Sequence, residues 1–166
     1  MFRLMPIDGI MQTPTQNKDS QQRFKKDEMA GPGFYQVTLD SVKAELTATS
    51  RCAFHRYSFA DARTNFFAID LKHGSDDACT IVQADAYDTV LVANIKWIND
   101  RTIQGTRISS GWAKEQHVYF YAQFSKPIVK TEAFHSRKKV DFNSSLEGLD
   151  VRLIFSSIVP TAKNYL

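Results

Sequence analysis

No stretch of this sequence approaches the roughly 20 consecutive apolar residues that a membrane-spanning helix needs, so no membrane partner is expected. The first residues also lack the apolar core of a signal peptide, because Pro6 and Asp8 interrupt it. An excess of one charge is missing as well, since the net charge is only +3. The one basic run, Arg137-Lys138-Lys139, is typical of a solvated turn, so nucleic acid is not an expected partner either.

Cysteine is scarce, and only Cys52 and Cys79 occur. They do not have the CxxC spacing of a zinc site, and neither has a His at ligand spacing, so no metal site is expected in this chain. Two interpretations stay open: the two residues pair, or each is a small buried hydrophobe. Because each lies in or beside an apolar segment, burial is the favoured interpretation.

What is present is the composition of a soluble globular domain. Of 166 residues, 43% are hydrophobic and 23% are charged, which is enough to bury a sizeable core and excludes general disorder. Residues 1–166 are therefore interpreted as a single domain. Within it, residues 11–30 are predicted to be a polar loop, because branched apolar side chains are almost absent from them.

Strand patterns dominate the rest of the chain. In residues 42–49 apolar side chains alternate with polar ones, which predicts a strand with one buried face. Residues 34–39 predict a strand before it, joined by a two-residue reversal at Asp40-Ser41, and residues 52–59 predict a third. The opening is therefore an antiparallel meander.

Further strands are predicted at 66–71, 79–83, 90–98, 117–124 and 151–158. Asn99-Asp100 predicts a tight hairpin turn, because both residues tolerate positive φ. Residues 117–124 carry aromatic side chains on both faces, which predicts a strand in the middle of its sheet. About nine or ten short strands without an amphipathic helix indicate an all-β sandwich or barrel.

Several ordered blocks carry a family resemblance. PGFYQV at 32–37, KAELTAT at 43–49 and FHRYSF at 54–59 are followed by GTRISSGWA at 105–113, with shorter matches in VYF, FSKP and, more weakly, AKNYL at 162–166. Together they resemble the N-terminal domain of the glycoside hydrolase family 92 α-mannosidases. The resemblance implies an antiparallel β-sandwich of the mutarotase-like supersandwich type, with a short helix start at 160–166 that begins an interdomain linker.

The resemblance also implies where the chemistry lies. Family 92 enzymes are inverting and calcium-dependent, and their acid and base belong to a later, all-helical domain that this chain lacks. Inverting glycosidases need two carboxyl groups about 6.5–9.5 Å apart. No spacing singles out such a pair among the candidate carboxylates Asp70, Asp85, Asp88, Glu115 and Glu132. No catalytic residue and no cofactor are therefore assigned to this chain, and calcium is expected in the helical domain.

Five side chains remain as candidate carbohydrate contacts, because aromatic faces stack on sugar C–H surfaces and planar polar groups bind sugar hydroxyls. They are Trp112, Arg107, His55, Arg56 and Glu28. Trp112 follows Gly111, so an exposed ring is one interpretation and a ring in the core or at a domain interface is the other. His55 and Arg56 are adjacent in a strand and are predicted to point to opposite faces, so that one of them is structural.

The sequence departs from the family pattern at three places. Lys25-Lys26 replace a Ser-His pair, Cys52-Ala53 replace a Val-Gly pair, and Thr106 replaces an aromatic residue. The glycine- and aromatic-rich motifs that open the family pattern are also missing. Any part that the Ser-His pair has in the family's site is therefore lost here.

The leading hypothesis is a truncated or split N-terminal sandwich domain of a family 92-like exo-α-mannosidase, inactive alone. It would pack against the helical catalytic domain, or a split partner, and wall one side of a site for a mannose-containing glycan. Full-length relatives are typically periplasmic or secreted. The alternative is an independent carbohydrate-binding or protein-interaction β-sandwich module. Without a partner, the chain is expected to self-associate through exposed strand edges and an apolar patch.

Overall fold

The computed structural model describes residues 3–8, 25–60, 65–72, 89–111 and 113–157. These ranges contain thirteen β-strands and no helix, and therefore no helix that could cross a membrane. The strands are β1 Arg3–Asp8, β2 Lys25–Gly31, β3 Phe34–Leu39, β4 Val42–Ala48, β5 Ala53–Phe59, β6 Asn65–Asp70, β7 Thr89–Asn99, β8 Thr102–Ser110, β9 Gln116–Gln123, β10 Lys130–His135, β11 Lys138–Val140, β12 Ser145–Gly148 and β13 Val151–Ser156. The predicted all-β, antiparallel class is confirmed. The predictions for 79–83 and 160–166 lie outside the described residues.

The chain divides into two compact units. Unit 1 comprises Met1–Met5 and Phe67–Val159, and unit 2 comprises Pro6–Phe66 and Pro160–Leu166. Most of a five-stranded sheet, in the order β1-β6-β13-β10-β11, belongs to unit 1, together with a four-stranded sheet in the order β12-β7-β8-β9. Unit 2 holds a second four-stranded sheet, in the order β2-β3-β4-β5.

The core of unit 1 lies between its two sheets. Both sheets contribute to one buried cluster, which includes Ile69, Leu71, Val151, Leu153 and Phe155 from β6 and β13 and their ends, and Ala93, Ile95 and Ile103 from β7 and β8. The ring of Phe155 stacks on Phe67 at 5.6 Å and meets Phe124 edge-on at 4.8 Å between ring centroids. Full burial of each large apolar side chain contributes about 1.5–3 kcal/mol. This cluster therefore stabilises the packing of the two sheets of unit 1 against each other.

The meander of unit 2 follows its turns. Strands β3 and β4 pair from Leu39↔Val42 to Tyr35↔Leu46, and Asp40 takes a positive φ of 56° in the two-residue turn between them. Strand β5 pairs with β4 on the other side. The predicted hairpin and meander are therefore confirmed.

Strand β2 corrects the prediction of a polar loop at residues 25–30 of the predicted range 11–30, and residues 11–24 lie outside the described residues. Every residue of β2 is exposed, so it has no alternating apolar pattern from which a strand could be predicted. It is a strand because its backbone pairs with β3, across a bulge between Lys26 and Met29 in which Asp27 has a φ of 52°. Backbone pairing, rather than burial, defines this element.

The hairpin of β7 and β8 is confirmed, but its two turn residues are Asp100-Arg101 instead of the predicted Asn99-Asp100. The Asn99 carboxamide oxygen accepts the Arg101 backbone N–H at 2.9 Å, and neither Asn99 nor Asp100 has a positive φ. Strand β9, which pairs with β8, does not confirm its predicted central position. In the described part of the chain it is the last strand of its sheet, and Tyr119 and Tyr121 are 68% and 65% exposed. Its second aromatic face points to solvent instead of to another layer.

Cys52 is exposed and unpaired, so the prediction that it is a buried hydrophobe is wrong. It lies in the turn between β4 and β5, where its carbonyl accepts the Thr49 backbone N–H at 2.7 Å. Its own N–H donates to the Thr49 hydroxyl at 3.2 Å. These turn hydrogen bonds therefore fix the exposed position of Cys52. Cys79 lies outside the described residues.

Candidate sugar-contact site

Glu28 and His55, two of the five candidate contact residues, belong to the unit 2 sheet and lie on its two outer strands. Cross-strand pairing lines up Ala30, Tyr35, Leu46 and His55 in one row across its four strands. Glu28, which lies in the bulge of β2, accepts a short hydrogen bond from the Tyr35 hydroxyl. We call the group formed by Glu28, Tyr35, His55 and Tyr57 the His55 corner.

His55 and Tyr57 are alternate residues of β5, so their side chains share a face. The His55 Nδ1 and the Tyr57 hydroxyl lie 3.0 Å apart, and the two rings meet edge-on with centroids 5.9 Å apart. Burial raises the pKa of Tyr57 to about 12 and lowers the pKa of His55 below its ordinary value of 6.5. Both rings are therefore neutral near pH 7, with the tyrosine donating to Nδ1 and the proton of the imidazole on Nε2.

Tyr35 and Glu28 make up the second half of the corner. The hydrogen bond to Glu28 is the main cause that raises the pKa of Tyr35, with smaller contributions from burial and from the carboxylate charge. Tyr35 therefore stays protonated and donates to Glu28. The corner offers neutral aromatic rings beside a carboxylate acceptor, a set of groups suited to hydroxyls rather than to anions.

Arg56 lies on the opposite face of the sheet from His55, as predicted. Its Nε and Nη2 atoms donate to the two carboxylate oxygens of Glu45 at 2.8 and 2.9 Å, and Lys43 adds a contact at 3.3 Å. The Arg56 hydrogen bond is the main cause that lowers the pKa of Glu45 to about 2. Glu45 is therefore ionised at any physiological pH and has no proton to give to a leaving group.

Arg107 is completely buried in unit 1, on the inward face of β8. Its Nε donates to the Leu71 carbonyl and its Nη1 donates to the Ser109 hydroxyl, both at 2.8 Å. The bond to Leu71 connects β8 to the end of β6 and the bond to Ser109 lies within β8, so both have a structural role. Trp112 lies outside the described residues, so its exposure stays a prediction.

Tyr35 and Tyr57 are the members of the corner that sequence reasoning did not single out. A signal for Tyr57 was present, because it follows His55 by two positions in a strand. The partner of Glu28 could not be predicted in the same way, since the bulge in β2 places it and the sequence gives no sign of that bulge.

The described carboxylates among the catalytic candidates each face a cation or a histidine. Asp70 lies 3.2 Å from Arg152, Glu132 lies 2.9 Å from Lys139, and Glu115 lies 3.1 Å from His117. Asp85 and Asp88 lie outside the described residues. Across the described ranges, no three His, Cys, Asp or Glu side chains come together to hold a metal ion.

The lowered pKa of His55 gives a testable pH dependence. As the pH falls below 6.5, His55 binds a proton more readily in the unfolded chain than in the folded chain, because its folded pKa is lowered. The free energy of unfolding is therefore unaffected by this group above pH 6.5 and decreases as the pH falls below that value. We expect the urea midpoint to fall more steeply between pH 8 and pH 5 in the wild type than in His55→Gln. Equal slopes in the two proteins would show that His55 titrates normally.

The described fold is that of an antiparallel β-sandwich protein. The sequence profile of the glycosyl hydrolase family 92 N-terminal domain matches residues 1–157, and this chain belongs to that family. Among curated proteins, no sequence matches it.

Solved structures agree with the family. The GH92 α-mannosidase BT3965 from Bacteroides thetaiotaomicron is 27% identical, with a TM-score of 0.77 over 95% of this chain. Its complex with mannoimidazole gives 26% and 0.76 over 95%. The inverting mannosidase BT2199 of the same organism, 20% identical with a TM-score of 0.70 over 96% of this chain, shows the shared fold. The chain spans only 22%, 21% and 20% of the lengths of these three chains.

Proposed function

We propose that this chain acts as the N-terminal sandwich part of a family 92 exo-α-mannosidase, where it helps to wall the mannose site and leaves catalysis to a helical domain. The observation that carries the proposal is the match to BT3965, which covers 95% of this chain but 22% of that mannosidase. The rest of the enzyme is the source of the acid, the base and the calcium, supplied in one polypeptide or by a split partner.

The His55 corner supports a binding role. Different hydroxyls of a mannose-containing glycan can donate to the Glu28 carboxylate and accept from the His55 imidazole, while the tyrosine rings offer apolar surface to its C–H groups. Neither His55 nor Tyr57 changes its protonation state near pH 7, because burial lowers the pKa of His55 and raises the pKa of Tyr57. In this proposal the corner binds and orients a mannoside, and proton transfer takes place elsewhere.

The isolated chain is expected to release no 4-nitrophenol from 4-nitrophenyl α-mannoside above the buffer background. Glycosidic cleavage needs a carboxylic acid that is protonated at working pH, and Glu45 is held ionised with a pKa of about 2. The assay follows absorbance over hours with purified chain, and Glu45→Gln is the matched control. Turnover that survives purification and disappears in Glu45→Gln would contradict the proposal.

A second arm of the test measures binding. We expect chemical-shift changes on titration with methyl α-mannoside in the wild type, weaker changes in His55→Ala, and wild-type changes in Arg56→Ala, whose side chain lies on the other face. Equal titrations in all three proteins would exclude the His55 corner as the contact. Light scattering over a dilution series tests the predicted self-association, and a clean monomer that binds sugar would favour the independent module.

A further inference from the structure

A second surface with sugar-binding chemistry lies on the outward face of the unit 1 four-stranded sheet. Tyr119 and Tyr121 alternate along β9 and so share this face, with their Cα atoms about 7 Å apart along the strand. They are 68% and 65% exposed, and among the other exposed large hydrophobic side chains that the structure describes only Phe54, at 67%, is similarly exposed. Two exposed tyrosine rings side by side on a sheet offer apolar faces with polar hydroxyl tips, to which a ligand ring can stack.

Hydrogen bonds hold the first of these rings in place. The Glu115 carboxylate lies 3.1 Å from His117 Nε2, and His117 Nδ1 lies 3.2 Å from the Tyr119 hydroxyl. With Nε2–H donating to Glu115, Nδ1 accepts the tyrosine proton. The rings of His117 and Tyr119 lie 6.2 Å apart between centroids. These contacts already restrict the rotamers of Tyr119 in the free protein, so the ring loses less conformational entropy when a ligand binds.

Polar side chains surround both rings in two cross-strand rows. One row runs from Tyr119 through Thr106 and Asn94 to Glu147, and the other runs from Tyr121 through Gln104 and Lys96 to Ser145. All of them are exposed or half-buried. Amides and hydroxyls both donate and accept hydrogen bonds, as sugar hydroxyls do. The single Lys and the single Glu of these rows balance in charge, which suits a neutral ligand.

We propose that this surface, which we call the Tyr119 platform, binds a neutral oligosaccharide, with its sugar rings stacked on Tyr119 and Tyr121. Polyanions and acidic membranes need several cations, and the two rows hold only Lys96. A protein interface would centre on apolar side chains with few charges, whereas the neighbours of the tyrosines are polar or charged. The proposal is independent of the His55 corner, because every residue of the platform belongs to unit 1.

Affinity electrophoresis in native gels that contain α-mannan, laminarin or no polysaccharide tests the proposal on the whole chain. We expect at least one of the two neutral glycans to retard the wild type, and Tyr119→Ala with Tyr121→Ala to weaken that retardation by about tenfold or more. Tyr119→Phe keeps the aromatic face and should keep most of the retardation. Arg56→Ala, whose side chain lies on the other face of the unit 2 sheet from the His55 corner, is the matched control and should bind as the wild type does.

Each other result overturns the proposal. Migration of the wild type unchanged by both glycans would exclude a neutral-glycan platform. Equal retardation of the wild type and the double tyrosine variant would place binding elsewhere, and loss of binding in His55→Ala alone would assign it to the corner. If the double variant no longer self-associates in light scattering but binds glycan as the wild type does, the occupant of the platform is a second copy of this chain. Circular dichroism melts confirm that each variant is folded.

Discussion

Replacing Arg107 with methionine is expected to lower the free energy of unfolding by about 2–4 kcal/mol. Methionine fills much of the same space but donates no hydrogen bond, so the Leu71 carbonyl and the Ser109 hydroxyl each lose the donor that they have in the folded chain. Both bonds lie in the buried interior of unit 1, where an acceptor left without a donor costs its full desolvation free energy. Arg107→Lys should recover only part of the loss, because an ammonium does not present the planar, forked set of donors.

Urea unfolding followed by circular dichroism measures this effect as a shift of the midpoint at constant slope. Arg56→Met is the matched control, because it removes the same functional group from an exposed ion pair with Glu45. Exposed pairs contribute little, so the control should leave the midpoint close to that of the wild type. If Arg107→Met and Arg56→Met shift the midpoint equally, the buried hydrogen bonds of Arg107 do not contribute to stability.

Arg107 shows why its residue type alone could not predict its place. Residues 103, 105, 107 and 109 of β8 all point inward and are buried, yet two of them are Arg and Ser. The inward face of this strand is therefore not uniformly apolar, and period-two alternation cannot identify it. Its position depends on the carbonyl of Leu71, which is 36 residues away in the sequence.

The meander was predictable for a physical reason. A two-residue turn at Asp40-Ser41 fixes the register of the flanking strands, and the apolar face of residues 42–48 fixes which side is buried. Three other strands, β2, β11 and β12, had no such signal. Strand β2 is exposed along its whole length, and the short strands β11 and β12 are defined by backbone pairing with longer neighbours.

The candidate site was predictable in part. Opposite faces for His55 and Arg56 follow from strand geometry alone, and the register confirms them. The sequence could not show that Arg56 pairs with Glu45, since that contact depends on how the four-residue link 49–52 sets the pairing of β4 with β5. The Tyr119 platform was hidden for a related reason. Aromatic side chains on both faces of β9 suggested a covered strand, and only the exposure of Tyr119 and Tyr121 shows that one face is open.

Gly105→Ala is expected to destabilise the chain by about 1–3 kcal/mol, because it inserts a methyl group where there is no space. Gly105 pairs with Phe120 across β8 and β9, and a Cβ at this position would overlap the Phe120 ring and lie 3.0 Å from the Asn94 carbonyl oxygen. Phe120 packs against the unit 1 core, so its ring has little room to retreat. The effect is measured as the urea midpoint, with Gly31→Ala as the matched control, since a Cβ there meets nothing within 4 Å.

The double variant Gly105→Ala with Phe120→Leu separates a steric clash from a loss of backbone freedom. If the clash is the cause, the smaller leucine side chain leaves space for the new methyl group, and the double variant is less destabilised than the sum of its two single variants. If the glycine is needed for its backbone, the two effects add, because shortening residue 120 does not change the φ and ψ angles of residue 105. Gly105 has no positive φ, so an alanine can adopt its backbone conformation, and we expect the non-additive result.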